Sequence, residues 1–361
     1  MTAPAGIYVH VPFCAVKCPY CDFYSQRYDR QTVQDYTDAV CRNLRALPEG
    51  LHADTLYFGG GTPSLLSGEQ LLRMTETARE TVLLADDAEI TLEANPLTVT
   101  DSALAAWKAA GINRLSLGIQ SVQHDVLRIL GRRHTPEQAK AAVKRAQDAG
   151  FANLSADLMF GLKIQSADCL ADDLNALTAL HIPHISAYLL KIEEHTPFAE
   201  NPPALCDDDA QADRYLQMHR TLTAAGYTHY EISNFAQEGY ESRHNCKYWR
   251  LHPYYGIGPA AHSCHDGKRF AVPRDLVKFC ADARQTEDVT EPEAESFTER
   301  VMLGLRLREG IRTDSLPDAE RDRLLRRAKP LMPDYLTLTD GRLTMTPRGW
   351  LVSNAVLTAI L

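Results

Sequence analysis

Short β-rich runs alternate with amphipathic helical stretches over roughly the first 230 residues. The runs predict strands over 6–11, 55–60, 89–95, 114–120, 154–160 and 184–190. Helical spacing of apolar residues predicts helices near 33–47, 69–84, 101–110, 136–149 and 168–180. This alternation is typical of parallel βα units. Six such units predict an α/β fold with a partial or open (β/α)6 barrel.

The remainder of the chain is less regular. A loop after Pro197 leads into a helix predicted over 207–225 and an added strand in "YTHYEISNFA". From about Glu291 the pattern restarts as helix, Arg-rich helix, hairpin and helix, and Asp340-Gly341 supplies the hairpin turn. We therefore expect a barrel over 1–235, a connecting region over 236–290 and a small winged-helix-like α/β domain over 291–361.

Composition and charge exclude several classes of partner. The net charge is -9, and acidic residues dilute the basic stretch 321–329 of the C-terminal domain, so nucleic acid is not an expected partner. We favour a packing or interaction role for that domain. No apolar run approaches the about 20 residues of a membrane span, and the N-terminal stretch lacks a basic segment. We expect a cytosolic protein.

Three of the nine cysteines stand close together in "FCAVKCPYC", while the other six are scattered singly. Cys14, Cys18 and Cys21 follow the first predicted strand, at the end where barrels assemble their active sites. A closed structural zinc site needs a fourth ligand, which this spacing lacks. A [4Fe-4S] cluster held by three thiolates keeps one iron open to another molecule. Chance clustering and an incomplete zinc site are the alternatives.

A glycine-rich stretch, "FGGGTPS", ends the second predicted strand. Gly60 and Gly61, followed by Thr62, let the backbone approach a ligand without obstruction by Cβ atoms. Exposed backbone groups of this kind can bind the ammonium and carboxylate groups of an amino acid. A tight βα turn explains a lone glycine run equally well.

Polar residues occur at the ends of later strands, about one βα unit apart. Glu93, Gln120 and Asp157 are expected at one barrel mouth, where they suit ribose hydroxyls and an adenine edge. Each of them alone is explained nearly as well by a structural role. Arg132 can pair bidentately with a carboxylate, and Tyr8 is expected near a ligand or in the barrel wall.

The cysteine motif resembles that of the radical S-adenosylmethionine (SAM) superfamily. The resemblance implies a [4Fe-4S] cluster whose open iron is chelated by SAM, and a reductive cleavage that yields a 5'-deoxyadenosyl radical. Together, "GIYVHVPFC", "YFGGGTPS", "LEANP", "SLGIQS" and "DLMFGL" are similar to the oxygen-independent coproporphyrinogen III oxidase group. Carried over to this sequence, the metal ligands are Cys14, Cys18 and Cys21, and the SAM contacts are Tyr8, the backbone at Tyr20, Gly60, Gly61, Thr62, Glu93, Gln120, Arg132 and Asp157.

Two branches of that group differ in ways that this sequence distinguishes. The coproporphyrinogen dehydrogenases carry a fourth cysteine and a longer N-terminal arm, whereas this sequence has Phe23 at that position and 13 residues before Cys14. The HemW-type heme chaperones have phenylalanine there and an H-N-x-x-Y-W motif, which residues 244–249 match as "HNCKYW". The resemblance implies that His244 ligates heme iron, flanked by Tyr248 and Trp249. From the residues alone, a packed loop is the simpler interpretation.

The leading hypothesis is therefore a protein that binds heme and transfers it to an acceptor protein. The competing hypothesis is radical decarboxylation of coproporphyrinogen III to protoporphyrinogen IX, and a radical enzyme with an unrelated substrate is a third. The acceptor, the form of the heme bond and the oligomeric state, with a homodimer among the options, do not follow from spacing or composition.

Overall fold

The first half of the chain alternates strands and helices. The computed structural model describes residues 3–361. Its elements up to residue 189 are β1 (Ala5–Val11), β2 (Phe13–Cys14), β3 (Gln26–Arg27), α1 (Arg30–Arg45), β4 (His52–Gly60), α2 (Gly68–Thr81), β5 (Leu83–Ala94), α3 (Asp101–Ala109), β6 (Arg114–Gln120), α4 (His124–Ile129), α5 (Pro136–Asp148), β7 (Asn153–Phe160), α6 (Ala167–Ala179) and β8 (His184–Leu189). Strands β1, β4, β5, β6, β7 and β8 pair in parallel in that order, so the predicted (β/α)6 partial barrel is confirmed.

Later strands extend this sheet at both edges. The elements are α7 (Pro197–Glu200), α8 (Asp208–Ala224), β9 (Thr228–Glu231), β10 (Asn234–Ala236), α9 (Arg243–Trp249), β11 (Tyr254–Ile257), β12 (His262–His265), β13 (Lys268–Ala271), α10 (Leu276–Ala281) and β14 (Asp288–Glu291). Strand β11 runs parallel to β1 and leads into the antiparallel β12–β14, while β10 pairs antiparallel with β8. The predicted domain bounds stay a prediction, but the connecting region hydrogen-bonds into the barrel sheet.

Local sequence explains where the outer helices start and which face they bury. Helix α1 begins where the Asp29 side chain accepts a hydrogen bond from Thr32 N, a cap that contributes about 1 kcal/mol. Its residues Val33, Tyr36 and Leu44 are fully buried, as their helical spacing predicts. This apolar face joins the core between the helices and the sheet.

The two faces of the barrel strands differ in chemistry. Faces toward the helices are apolar and buried, as at Leu56, Phe58, Ile90 and Leu92. Alternate positions point into the barrel, and there a polar row forms from Tyr57, Thr91 and Arg114, which lie opposite one another in register. The barrel interior is therefore polar, and its side chains must satisfy each other or a ligand.

The C-terminal domain has a hairpin between helices. Its elements are α11 (Phe297–Gly304), β15 (Ile311–Arg312), α12 (Asp318–Ala328), β16 (Leu336–Thr339), β17 (Arg342–Met345), α13 (Pro347–Leu351) and α14 (Ser353–Ile360). Asp340 and Gly341 have φ of 50° and 74°, as a type I′ turn requires, so the predicted hairpin is confirmed. Over residues 3–361, no helix combines the length and the apolar character needed to cross a bilayer.

Candidate functional site

The cysteine loop leaves the barrel at the carboxyl end of β1. Its base is clipped by the β2–β3 pair, in which Phe13 lies opposite Gln26 and Cys14 opposite Arg27. At its tip, Cys21 N donates to Cys18 O over 3.1 Å. All three predicted ligands are partly exposed, so the loop presents its thiols to the mouth of the barrel.

The three thiols fit a cluster better than a single ion. Burial raises the pKa of the Cys21 thiol, and the nearby Cys14 and Cys18 raise it further, so the three groups interact. Among residues 3–361, no three His, Cys, Asp or Glu side chains converge as ligands of one metal ion. A [4Fe-4S] cluster takes its thiolates on separate irons, so its ligands need not converge on one point.

The glycine-rich stretch is fastened to the cysteine loop. Gly61 N donates to Val11 O over 2.8 Å, and Thr62 N donates to Phe13 O over 2.7 Å. The Thr62 hydroxyl lies 3.5 Å from the Cys14 Sγ. A Cβ on Gly61 would lie 2.6 Å from Phe13 O, so the close approach of these two loops itself requires glycine.

Two carboxylates lie inside the mouth. Glu93 Oε1 accepts from the Tyr57 hydroxyl at 2.8 Å, and its Oε2 accepts from Gly60 N at 3.1 Å. Burial raises the pKa of Glu93 to about 7, and the carboxylate of Asp157 adds to the rise. Burial likewise raises the pKa of Asp157 to about 6. A buried pair of this kind suits a cationic or hydroxyl-bearing ligand.

Gln120 and Arg132 meet over the backbone of β6. Gln120 has a φ of 68°, in the left-handed region that costs a residue with a Cβ about 1 kcal/mol. A Cβ on Gly118 would lie 3.2 Å from Gln120 Nε2 and 3.0 Å from Arg132 Nη2. Arg132 also reaches the cysteine loop, where its Nη1 lies 3.6 Å from the Cys18 Sγ. Burial raises the pKa of the neighbouring Tyr20, while Arg132 opposes that rise.

Tyr8 lies deeper in the barrel than the ring of residues at the mouth. Its ring is 6.0 Å from that of Tyr57, and its hydroxyl is 3.2 Å from His10 Nδ1. The other His10 nitrogen bonds to Tyr24 O at 2.9 Å, which anchors the end of the cysteine loop. Tyr8, itself a predicted SAM contact, therefore lies on the floor beneath the other predicted contacts.

The structure does not bring His244 to this mouth. The residue is fully buried at the opposite end of the barrel, on α9. Its Nδ1 bonds to Thr55 Oγ1 at 2.7 Å and its Nε2 to the Tyr248 hydroxyl at 2.9 Å. Burial lowers the pKa of His244 to about 3. As the ring lies, neither nitrogen is free for an iron, and its ligand role stays a prediction.

Two tyrosines of the site were not predicted from the sequence. Tyr57 donates to Glu93, and Tyr188, at the end of β8, lies at the mouth, where it is 41% exposed. The alternation of side chains along a strand could have predicted that both face the barrel interior. Tyr57 is two residues before Gly59, and Tyr188 is two after Ser186, so each faces the interior.

Family models match both parts of the chain. Residues 8–177 match the Radical SAM superfamily, and residues 292–352 match the HemN C-terminal domain. The first match includes the cysteine loop and the strand ends that carry Glu93, Gln120 and Asp157.

Curated relatives extend the similarity over almost the whole chain. Heme chaperone HemW of Escherichia coli (strain K12) is 44% identical over 263 residues, which cover 72% of this chain and 70% of that protein. Heme chaperone HemW of Mycobacterium tuberculosis (strain H37Rv) is 36% identical over 374 aligned positions, covering 99% and 95%.

A solved structure has the same overall fold. Coproporphyrinogen III oxidase (HemN) from Escherichia coli aligns with a TM-score of 0.83 and 21% identity, over 99% of this chain and 90% of that one. At this identity the likeness establishes the architecture, including the C-terminal domain.

Proposed function

Since the chain belongs to the HemW family of the radical SAM superfamily, we propose that it binds heme and passes it to an acceptor protein while carrying a [4Fe-4S] cluster and SAM. The observation that carries the proposal is the similarity to curated heme chaperones over nearly the full chain. Similarity of this extent includes both the barrel and the C-terminal domain.

Residues at the mouth have the chemistry to hold the two cofactors. Cys14, Cys18 and Cys21 supply thiolates for the cluster, which when bound offers a redox centre with one open iron site. Glu93 can accept a hydrogen bond from the amino group of SAM, and Arg132 can donate to its carboxylate. Asp157 and Gln120 can bond to hydroxyl and amide groups deeper in the mouth.

Exposed apolar side chains on the cysteine loop offer a place for a porphyrin. Phe23 is 66% exposed and Val16 is 54% exposed, although both flank the predicted cluster ligands. Contiguous exposed apolar surface bordered by polar groups is typical of a binding surface, and these two side chains lie on the same loop. We place the heme face against this loop, which is also where the sequence departs from the four-cysteine motif.

Heme binding as proposed does not depend on His244. That imidazole lies within the closed interior and already makes two hydrogen bonds. Ligation would require breaking both of them and opening the barrel, whereas the mouth is accessible as it stands.

Heme titration of the reconstituted protein tests the proposal. We expect a saturable shift of the Soret band, weakened several-fold in Phe23→Ser and in Val16→Ser because each removes apolar contact area. Val289→Ser is the matched control, since Val289 is also 54% exposed but lies on the distant edge strand β14. Absence of a Soret shift in the wild-type protein contradicts heme binding, and equal weakening by all three variants contradicts the location.

Transfer and enzyme activity are tested separately. Heme-loaded protein mixed with an apo-hemoprotein from the same cell should lose its heme spectrum as the acceptor gains one. An anaerobic assay of the same reconstituted protein with coproporphyrinogen III should yield no protoporphyrinogen IX. Sustained turnover there would favour the decarboxylase hypothesis.

A further inference from the structure

The HNCKYW segment, residues 244–249, closes the end of the barrel opposite the cysteine loop. Its helix α9 is held at the N-terminus by Glu89, which accepts from the backbone N of Arg243 and of His244 at 3.1 Å each. Lys247 fastens it to β4 and to the residue before β1, with its Nζ 2.6 Å from Asp54 Oδ1 and 2.7 Å from Pro4 O. These contacts tie α9 to β5, to β4 and to the residue that precedes β1.

His244 reaches from this helix into the barrel interior. The ring stacks on Tyr57 with 5.1 Å between centroids and an interplanar angle of 29°. Room for it exists because β1 has glycine at position 6, where a Cβ would lie 3.0 Å from His244 Cε1 and 2.9 Å from Thr55 Oγ1. Strand β1, strand β4 and the helix thus meet at one imidazole.

Tyr57 connects that imidazole with the mouth. One face of its ring is covered by His244, while its hydroxyl donates to Glu93 Oε1 at 2.8 Å. The other Glu93 oxygen accepts from Gly60 N in the glycine-rich stretch. A continuous series of contacts therefore runs from His244 through Tyr57 and Glu93 to Gly60.

We propose that His244 and Tyr57 are positioning residues for Glu93, so that the HNCKYW segment serves the SAM pocket from the closed end of the barrel instead of ligating heme iron. The inference rests on the proposed function in one respect, namely that Glu93 contacts SAM. It explains why both nitrogens of His244 are bonded to neighbouring side chains and why its ring is packed flat against Tyr57.

The charge on Glu93 depends on several groups around it. The hydrogen bonds from Tyr57 and Gly60 favour its ionised form, and Arg114 assists them. Burial and Asp157 oppose ionisation. The titratable groups that face it from the surrounding elements are Tyr8, Tyr57, Arg114, Asp157, Tyr188 and Tyr248.

Tyr57→Phe tests the proposal through the pH dependence of SAM binding. Losing a hydrogen bond to a charged group should weaken SAM binding of cluster-loaded protein about tenfold near pH 7. The pKa of Glu93 should rise, so the midpoint of the affinity profile should move to higher pH and the two proteins should converge in alkaline solution. Tyr215→Phe is the matched control, because Tyr215 also donates at 2.8 Å, to Ile232 O, away from the mouth. An unmoved midpoint in Tyr57→Phe overturns the proposal.

His244→Gln separates positioning from iron ligation. We expect weaker SAM binding with a heme Soret shift like that of the wild-type protein. A lost Soret shift with unchanged SAM affinity would instead assign His244 to the heme. If that variant does not fold, Thr55→Val removes the partner of Nδ1 and should weaken SAM binding in the same way. Failure of the wild-type protein to bind heme would contradict the proposed function while leaving these SAM measurements decisive.

Discussion

The Arg132 guanidinium bridges the cysteine loop and the barrel. Its Nη1 lies 3.6 Å from the Cys18 Sγ, and its Nη2 donates a hydrogen bond to Gly118 O at 2.6 Å. The planar guanidinium reaches both groups at once, which a lysine ammonium on a flexible stem cannot reproduce. Within residues 3–361 its buried Nε has no hydrogen-bond partner, so it keeps a donor for a ligand.

Arg132→Lys should therefore weaken SAM binding about tenfold, because one charge-assisted hydrogen bond contributes roughly 1.5–3 kcal/mol. Calorimetric titration of cluster-loaded protein with SAM measures the change. Arg133→Lys is the control, since Arg133 is the exposed neighbour in the sequence. Equal effects of the two substitutions would remove Arg132 from the site.

Each cysteine of the loop should be required for the cluster. Cys14→Ser, Cys18→Ser and Cys21→Ser should each lower bound iron and the sulfur-to-iron charge-transfer absorbance after anaerobic reconstitution, since a serine hydroxyl does not replace a thiolate. Cys169→Ser should retain both signals, because Cys169 is also partly exposed but lies on α6. Retention of iron by all three loop variants would exclude this cluster site.

The order of strands and helices in the barrel could be predicted because hydrophobic periodicity is set by residues that are neighbours in the sequence. Strands β6 and β7 match the predicted runs to within one residue. Strand β5 begins six residues before its predicted start at 89, because Asp86 and Asp87 interrupt the apolar pattern while Leu83 and Leu84 gain their strand conformation from pairing with β4. Tertiary pairing overrode local preference there.

The candidate site could be predicted where topology alone brings residues together. Parallel strands place Glu93, Gln120 and Asp157 at one mouth whatever their side chains contact. The Thr55–His244 hydrogen bond spans 189 residues of sequence and depends on how α9 docks, which no local pattern encodes. For the same reason the motif predicted that His244 is an iron ligand but did not predict the residues to which its two ring nitrogens hydrogen-bond.

Gly6→Ala should destabilise the protein by about 1–3 kcal/mol, since the new Cβ would lie 2.9 Å from both Lys247 Cδ and Thr55 Oγ1. The gain of about 0.4–1 kcal/mol from a less flexible unfolded chain is smaller. Urea unfolding measures the loss. In a double-mutant cycle, Thr55→Ala should recover part of it by removing one colliding atom. A neutral Gly6→Ala would mean that α9 docks loosely enough to move aside.

The C-terminal domain contacts the barrel through a histidine whose charge should make that contact sensitive to acid. His229 lies between Phe235, at 3.9 Å between ring centroids, and Trp350 of α13, at 4.6 Å. Its Nδ1 is 3.0 Å from His219 Nδ1, and Arg220 and Arg308 lie nearby. Burial lowers the pKa of His229 to about 3.

The unfolded chain therefore takes up a proton at His229 near pH 6.5 that the folded chain refuses until about pH 3. Stability from this residue is complete above pH 6.5 and is lost as pH falls below it, by at most about 1.4 kcal/mol per pH unit. Ionisable groups that do not contact His229 cancel when two variants are compared, whereas His219, with its Nδ1 3.0 Å from His229 Nδ1, belongs to the same coupled pair. The difference in unfolding free energy between wild-type and His229→Gln protein should thus shrink between pH 6.5 and 4.5. A difference that does not change with pH would show that His229 already accepts its proton within the fold.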